Sequence, residues 1–217
     1  MSGIAGIIGQ STDVSKKIAL DVMDHRGPDG RGEWESKDRR VWLGHVLLSP
    51  DSPGTKAQPF SGGNGALHIT SDGDIANYPE IRKELEKAGY VFKSDSDGEL
   101  IIHAYEKWGR ECVKRLNGAW AFALWDDREK MLFCSRDRLG IRPFYYHWDG
   151  KRLSFASEIK SLLAAKTLRP AVDREGLRQY PVLCAYFFRH QRRIRRFVIP
   201  AAPLKRAAER NHRNILH

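Results

Sequence analysis

The sequence predicts an α+β domain built mostly on antiparallel sheet. Strand-like runs cluster at both ends of the domain, the best-marked helices lie between them, and Asp149-Gly150 signals a two-residue hairpin.

In chain order, residues 3–9 form a short apolar run rich in Ile and Gly, the pattern of a buried strand. Residues 14–23 carry helical spacing through Val14, Ile18 and Val22, and lead into the turn H-R-G-P-D-G that starts at His25. Residues 41–48 are strand-like, S-G-G-N-G from Ser61 is a turn, and residues 66–70 form the next strand. The following helix has Asn77 as its cap, Pro79 in its first turn, Ile81 and Leu85 on its apolar face and Gly89 at its end. A second helix starts after Ser96 or Asp97, sets Ile101, Ile102, Tyr105 and Trp108 on one stripe, and stops at Gly109. Residues 119–125 alternate small and large side chains, as a strand packed on one face does. That alternation marks Trp120, Phe122 and Trp125 as core rather than a ligand stack. Strands at 130–135, 144–148 and 152–155 follow, and Ser157 is placed to cap a helix over 158–165.

The chain has 217 residues, 41% hydrophobic and 29% charged, which suits one globular domain with an appendage. No apolar run reaches the roughly 18 residues of a membrane span. The start lacks the basic flank and apolar length of a signal peptide, so the expected location is the cytoplasm. Cys112, Cys134 and Cys184 stand apart with no C-x-x-C spacing, as buried free thiols do. The eight histidines form no H-x-x-x-H or H-E-x-x-H pair, and there is no G-x-S-x-G elbow or Walker-type loop. No metal and no cofactor is therefore expected. The net charge of +10 is uneven: residues 178–217 hold ten Lys and Arg against the single acid Glu209.

Six segments recur in a known order: S-G-I-A-G-I-I-G from Ser2, H-R-G-P-D-G from His25, S-D-S-D-G-E from Ser94, R-L-N-G-A-W-A-F-A-L-W-D from Arg115, R-D-R-L-G-I-R-P-F-Y-Y from Arg136, and F-A-S-E-I-K-S-L-L from Phe155. Over about 165 residues the chain resembles a class II glutamine amidotransferase domain, closest to the glutaminase half of asparagine synthetase. The resemblance implies an N-terminal-nucleophile hydrolase fold, a four-layer αββα sandwich with two antiparallel sheets between helical layers. It sets a domain at 2–165 and leaves 166–217 as a basic extension with no recognised domain and no synthetase domain. It also implies a chemistry. Once Met1 is removed, residue 2 carries both a nucleophile and a free α-amino group, which titrates near 7.7–8.0 and can act as its base. Small residues at positions 2 and 3 favour that removal.

The implied site is altered at three positions. Ser2 stands where the family has cysteine, and a hydroxyl is not ionised at neutral pH as a thiol partly is. Leu47 stands where the family's arginine holds the glutamine carboxylate. Asp72 stands where an asparagine amide donates to the oxyanion, beside the retained Gly73, whose N–H is the second donor. Asp74 and Ala76 replace the family's Glu and Tyr. Arg26 and Asp97 are kept, the first matching the arginine beside the nucleophile, the second the carboxylate that binds the substrate amino group. Arg26 as a salt-bridged turn residue and Asp97 as a helix N-cap are the competing structural readings.

Three functional readings stay open. The first is a glutaminase relative with weak or absent turnover of glutamine. The second is a serine amidase acting on another small amide, with Leu47 facing an apolar group. The third is a non-catalytic binding or scaffold protein that docks to a separate synthetase subunit or uses its basic tail. The tail's charge suits a nucleic-acid or anionic surface, but without helical period or aromatic spacing it reads rather as a truncated or out-of-frame ending.

Overall fold

The computed structural model describes residues 1–49, 58–166, Pro170, Val172 and the backbone of 196–200. Cys184 and the rest of the basic extension lie outside the described residues. The strands are β1 (Gly3–Ile8), β2 (Gly30–Glu35), β3 (Val41–Leu47), β4 (Phe60–Gly62), β5 (Leu67–Ile75), β6 (Gly118–Asp126), β7 (Met131–Arg136), β8 (Tyr145–Trp148), β9 (Leu153–Ala156) and β10 (Arg196–Pro200). The helices are α1 (Asp13–Asp21), α2 (Tyr78–Lys87), α3 (Asp97–Trp108) and α4 (Ile159–Ala164). Two antiparallel sheets form, in the orders β2-β3-β1-β9-β8 and β10-β7-β6-β5-β4.

The side-chain alternation stacks these sheets between helices. Ala5, Ile7, Trp42 and Val46 face α1 and α4. Ile4, Ile8, Val41 and Leu43 on the other face of the first sheet meet Ala121, Ala123 and Trp125 of the second. Leu67, Ile69, Ile75, Trp120, Phe122 and Leu124 then turn outward onto α2 and α3. The result is αββα, with three apolar layers between four structural ones. β1 and β3 are buried along their whole lengths because each is covered on both faces. That double cover is why β1 reads as a continuous apolar run and not as an alternation. Trp120, Phe122 and Trp125 are core, and Cys112 and Cys134 are buried, both as expected.

Four local expectations are corrected. Asn77 stands at the cap position of α2 without capping it. Its amide donates to the Arg115 carbonyl at 2.9 Å and accepts from the Asn117 N–H at 2.8 Å, tying the helix start to the β6 approach. The cap of α3 is Ser96, which accepts from the Glu99 N–H at 3.2 Å, so Asp97 is free of that duty. Ser157 does not cap α4. It clasps Ile4 instead, accepting the Ile4 N–H at 2.9 Å and donating its own N–H to the Ile4 carbonyl at 2.8 Å. The hairpin turns at Gly150-Lys151, one residue later than expected: the Asp149 N–H donates to the Arg152 carbonyl at 3.2 Å, and the Asp149 carboxylate gathers the Lys151 and Arg152 N–H groups.

β2, β4 and β10 are strands that periodicity does not reveal. β2 lies at the edge of the first sheet and β4 has three residues. β10 comes from the aperiodic tail, where F-V-I is too short to show a period, and its backbone extends the second sheet beyond β7.

The Ser157 clasp holds β1 two residues from Ser2. Ser157→Ala leaves the buried Ile4 N–H without its side-chain acceptor. The expected loss is about 1–3 kcal/mol, read as a lower urea midpoint at unchanged m-value; a midpoint equal to wild type would show the clasp to be dispensable.

Candidate active site at one end of the sheet pair

The start of β1 and the ends of β3 and β5 meet at one end of the sandwich. Gly3 pairs with Val46, so Ser2 falls opposite Leu47. By parity with Ile4, Ser2 faces the space between the sheets. Its Oγ accepts the Leu48 N–H at 3.1 Å. Leu47 is buried beside it and offers no charge.

Arg26 comes from the turn H-R-G-P-D-G. That turn lies flat on the end of β3, where Pro28 bridges Leu47 and the Asp29 N–H donates to the Leu47 carbonyl at 3.0 Å. From there Arg26 reaches three acceptors. Nε donates to the Ser2 carbonyl at 3.0 Å, Nη2 to Asp72 Oδ2 at 3.3 Å, and Nη1 lies 3.5 Å from Glu158. Glu158 is itself held by His25 at 2.8 Å and Lys160 at 3.0 Å. The structure thus joins Arg26 to both Ser2 and Asp72, beyond a simple turn residue.

Asp72, on β5, faces the opposite sheet and is 4% exposed. A second guanidinium approaches its other oxygen, with Arg142 Nη1 3.9 Å from Oδ1. Burial pushes the Asp72 carboxyl above its ordinary range, against Arg142, Arg26 and the chain's N-terminal ammonium. Asp74, two residues on, shares that side of the strand and is exposed.

Gly73 is squeezed against β6. A Cβ there would lie 2.6 Å from the Ala119 carbonyl oxygen and 2.9 Å from Trp120 Cα. Its N–H direction follows from its neighbours. The Ser71 N–H donates sideways to Gln58 at 2.8 Å, and the Ile75 N–H to Asp97. Gly73 has the same parity, so its N–H points to that same edge. β4, which pairs only as far as Ile69, does not cover it there.

Asp97 begins α3 across that edge. Burial raises its carboxyl to about 6, the Ile75 N–H opposes this, Asp74 adds to it, and Arg142 opposes it. Ser2, Arg26, Leu47, Asp72, Gly73, Asp74 and Asp97 therefore all gather at one end, although they come from five separate stretches of chain.

Sequence reasoning missed three neighbours. Arg142 and Glu158 lay inside quoted motifs, R-D-R-L-G-I-R-P and S-E-I-K, and two ions beside fixed turns were the available signal. His45, wholly buried on β3 two residues before Leu47, has no hydrogen-bond partner on either ring nitrogen among the described residues. Burial pushes its pKa down to about 4, so it is neutral at pH 7.

Comparison with known proteins shows the family and the fold. Residues 1–209 match the family described as glutamine amidotransferase domain. The asparagine synthetase [glutamine-hydrolyzing] 3 of Bacillus subtilis is 38% identical over 159 residues, covering 72% of this chain and 26% of its own length. The putative asparagine synthetase [glutamine-hydrolyzing] 2 of Methanocaldococcus jannaschii is 36% identical over 202 residues, covering 83% of this chain and 39% of its own. A Gibberella zeae protein named amidase chry2 is 39% identical over 149 residues, 68% of this chain and 22% of its own length. The chain thus spans between about a fifth and two-fifths of the length of these relatives. Among solved structures, the glutamine phosphoribosylpyrophosphate amidotransferase of B. subtilis superposes with a TM-score of 0.65 at 20% identity, over 76% of this chain and 43% of that one. That likeness shows the N-terminal-nucleophile amidotransferase fold. By its match across nearly the whole chain and its kinship with the asparagine synthetases, the protein belongs to the glutamine amidotransferase domain family.

Proposed function

We propose that this chain hydrolyses the side-chain amide of glutamine with Ser2 as nucleophile, and that it does so slowly. The observation that carries the reading is the Ser2 hydroxyl, fixed by the Leu48 N–H at 3.1 Å beside Arg26 and the edge N–H of Gly73. Removal of Met1 frees the α-amine of Ser2. That amine takes the hydroxyl proton while Oγ attacks the amide carbon. The resulting oxyanion is met by the Gly73 N–H. Collapse expels ammonia, which takes the proton back from the α-ammonium, and water then cleaves the ester to release the acid. Asp97 receives the substrate's ammonium, and Arg26 holds the Ser2 carbonyl so that the nucleophile keeps its place.

Two substitutions make the reaction slow. Serine gives no thiolate. Asp72 turns a family donor into an acceptor, and the two guanidiniums beside it favour its charged form. The ammonia is proposed to serve a synthetase partner, since relatives at 36% and 38% identity carry that name. No helix among the described residues is long and apolar enough to cross a membrane, and the cytoplasm is the proposed location. A second reading is an amidase for a substrate without a carboxylate. It is favoured by the buried apolar Leu47 and by a relative named an amidase.

Intact mass is expected to show Met1 absent; a retained Met1 removes the base and with it this mechanism. Ammonia release from glutamine is expected to rise in Ser2→Cys. Adding Asp72→Asn should raise it about 100- to 1000-fold further, the worth of one oxyanion donor; no further gain would clear Asp72 of blame.

Asp97 sets a pH dependence. Its carboxyl must be ionised to hold an ammonium, so glutamine binding is expected to weaken as pH falls through about 6. Asp97→Asn should bind weakly with no such inflection, as read by calorimetric titration between pH 5 and 8. The same raised pKa works against the fold. The native state keeps the proton more tightly than the unfolded chain, so stability declines as pH rises from the ordinary aspartate value of 3.8 to about 6. Asp97→Asn should therefore gain about 1–2 kcal/mol at pH 7 after allowance for partial exposure.

A further inference from the structure

The loop between β7 and β8 is tied far more closely than a surface connection requires. Asp137, itself 4% exposed, accepts the N–H groups of Leu139 at 3.1 Å, Ile141 at 2.9 Å and Arg142 at 2.9 Å. Its own N–H is anchored on the Trp120 carbonyl at 2.8 Å. Arg136 gathers the carbonyls of the same loop, those of Gly140 and Arg142. Gly140 closes the turn at φ 70, with the Arg136 guanidinium packed against it. Two acidic oxygens and one guanidinium thus fix the backbone of residues 137–142 from both sides.

One side chain makes use of this rigidity at the site. Leu139 and Ile141 are 73% and 59% exposed, whereas Arg142 is largely covered and turned toward Asp72. Yet Arg142 is under-used there. Its nearest Asp72 oxygen is 3.9 Å away, beyond hydrogen-bond range. Its Nε is buried without a partner among the described residues. A guanidinium built only to neutralise Asp72 would close to about 2.7–2.9 Å. Arg26 already holds that carboxylate at 3.3 Å. Arg142 also acts electrostatically on Asp97 across the same end of the sheet pair.

We infer that Arg142 receives the α-carboxylate of the substrate, supplying from the loop 137–142 the grip that Leu47 cannot supply from β3. The amino and carboxylate groups of an amino acid sit on one carbon, so their receptors must be neighbours. Asp97 and Arg142 stand at one end of the sheet pair against the same strand, the first at Ile75 and the second at Asp72. The fork of donors that Asp72 leaves open matches a carboxylate in shape. The inference rests on the amide-hydrolase reading and adds its specificity: the substrate is an α-amino acid amide, and Arg142 is the residue that selects it.

The test compares equilibrium binding of L-glutamine with that of 4-aminobutanamide, the same molecule without its carboxylate, using the full chain carrying Ser2→Ala to stop turnover. Glutamine is expected to bind about tenfold tighter or better. Arg142→Gln should erase that preference, read as the ratio of the two affinities. Leu47→Arg in the Arg142→Gln background should restore it. If Arg142→Gln does not fold, Arg142→Lys, which keeps the charge and loses the fork, is expected to reduce the preference. Equal affinities for the two probes would overturn the inference while leaving an amide-hydrolysing site intact. A preference that survives Arg142→Gln, or Arg142→Lys where that variant is used, would overturn it too. Binding of neither probe would overturn it together with the amide reading.

Discussion

A buried carboxylate has to be neutralised, and most of the arrangement at the functional end follows from how this is done for Asp72. It sits on a strand whose neighbours face an apolar layer of Ile4, Leu43 and Ala121. Two guanidiniums reach it from opposite directions in the sequence, Arg26 from the turn before β2 and Arg142 from the loop after β7. Neither arrives on a free tether. Gly27, against which a Cβ would lie 2.4 Å from Val46, lets the first turn lie on β3, and Asp137 pins the second. Losing Arg26 would leave much of the carboxylate's charge uncompensated in a place where water cannot help, and breaking such a buried pair costs about 3–5 kcal/mol.

The same carboxylate decides the chemistry. Arg26 holds Asp72 with one nitrogen and the Ser2 carbonyl with another, so the charge balance and the position of the nucleophile share a residue. An amide at position 72 would present a donor to the space beside Ser2. A carboxylate presents an acceptor, and the cations that make it tolerable favour its charged form against the burial that pushes its pKa up. The site has therefore kept its frame while reversing the polarity of one wall.

Much of the fold is legible in the sequence because its signals are local. The small–large alternation of 119–125 and the Ile81 and Leu85 stripe each report which face is buried. The failures share a cause. Asn77, Ser157 and Asp97 are all cap-type residues at helix starts, but Asn77 and Ser157 spend their polar atoms on partners 38 to 153 residues away, which no local pattern reveals. Ser2, Arg26 and Asp97 stood inside the ordered motifs. Arg142 was hidden by the same means: its role depends on a loop clamped by Asp137 and on a strand 70 positions earlier. Ser2 alone suggests a swapped nucleophile; beside Asp72 and its two arginines it is one part of a re-balanced charge cluster.

The clamped loop has a consequence for how the surface behaves in time. Exposed connections ordinarily open easily and exchange their amide hydrogens quickly. Here the amides of Leu139, Ile141 and Arg142 are engaged by a carboxylate that is itself buried. Their deuterium uptake should follow the slow opening of the β6–β7 core rather than the fast fluctuation of a turn. Leu139 and Ile141 are consequently apolar side chains presented on a nearly rigid mount, and anything that settles on them meets a surface whose ordering entropy was already spent when the domain folded.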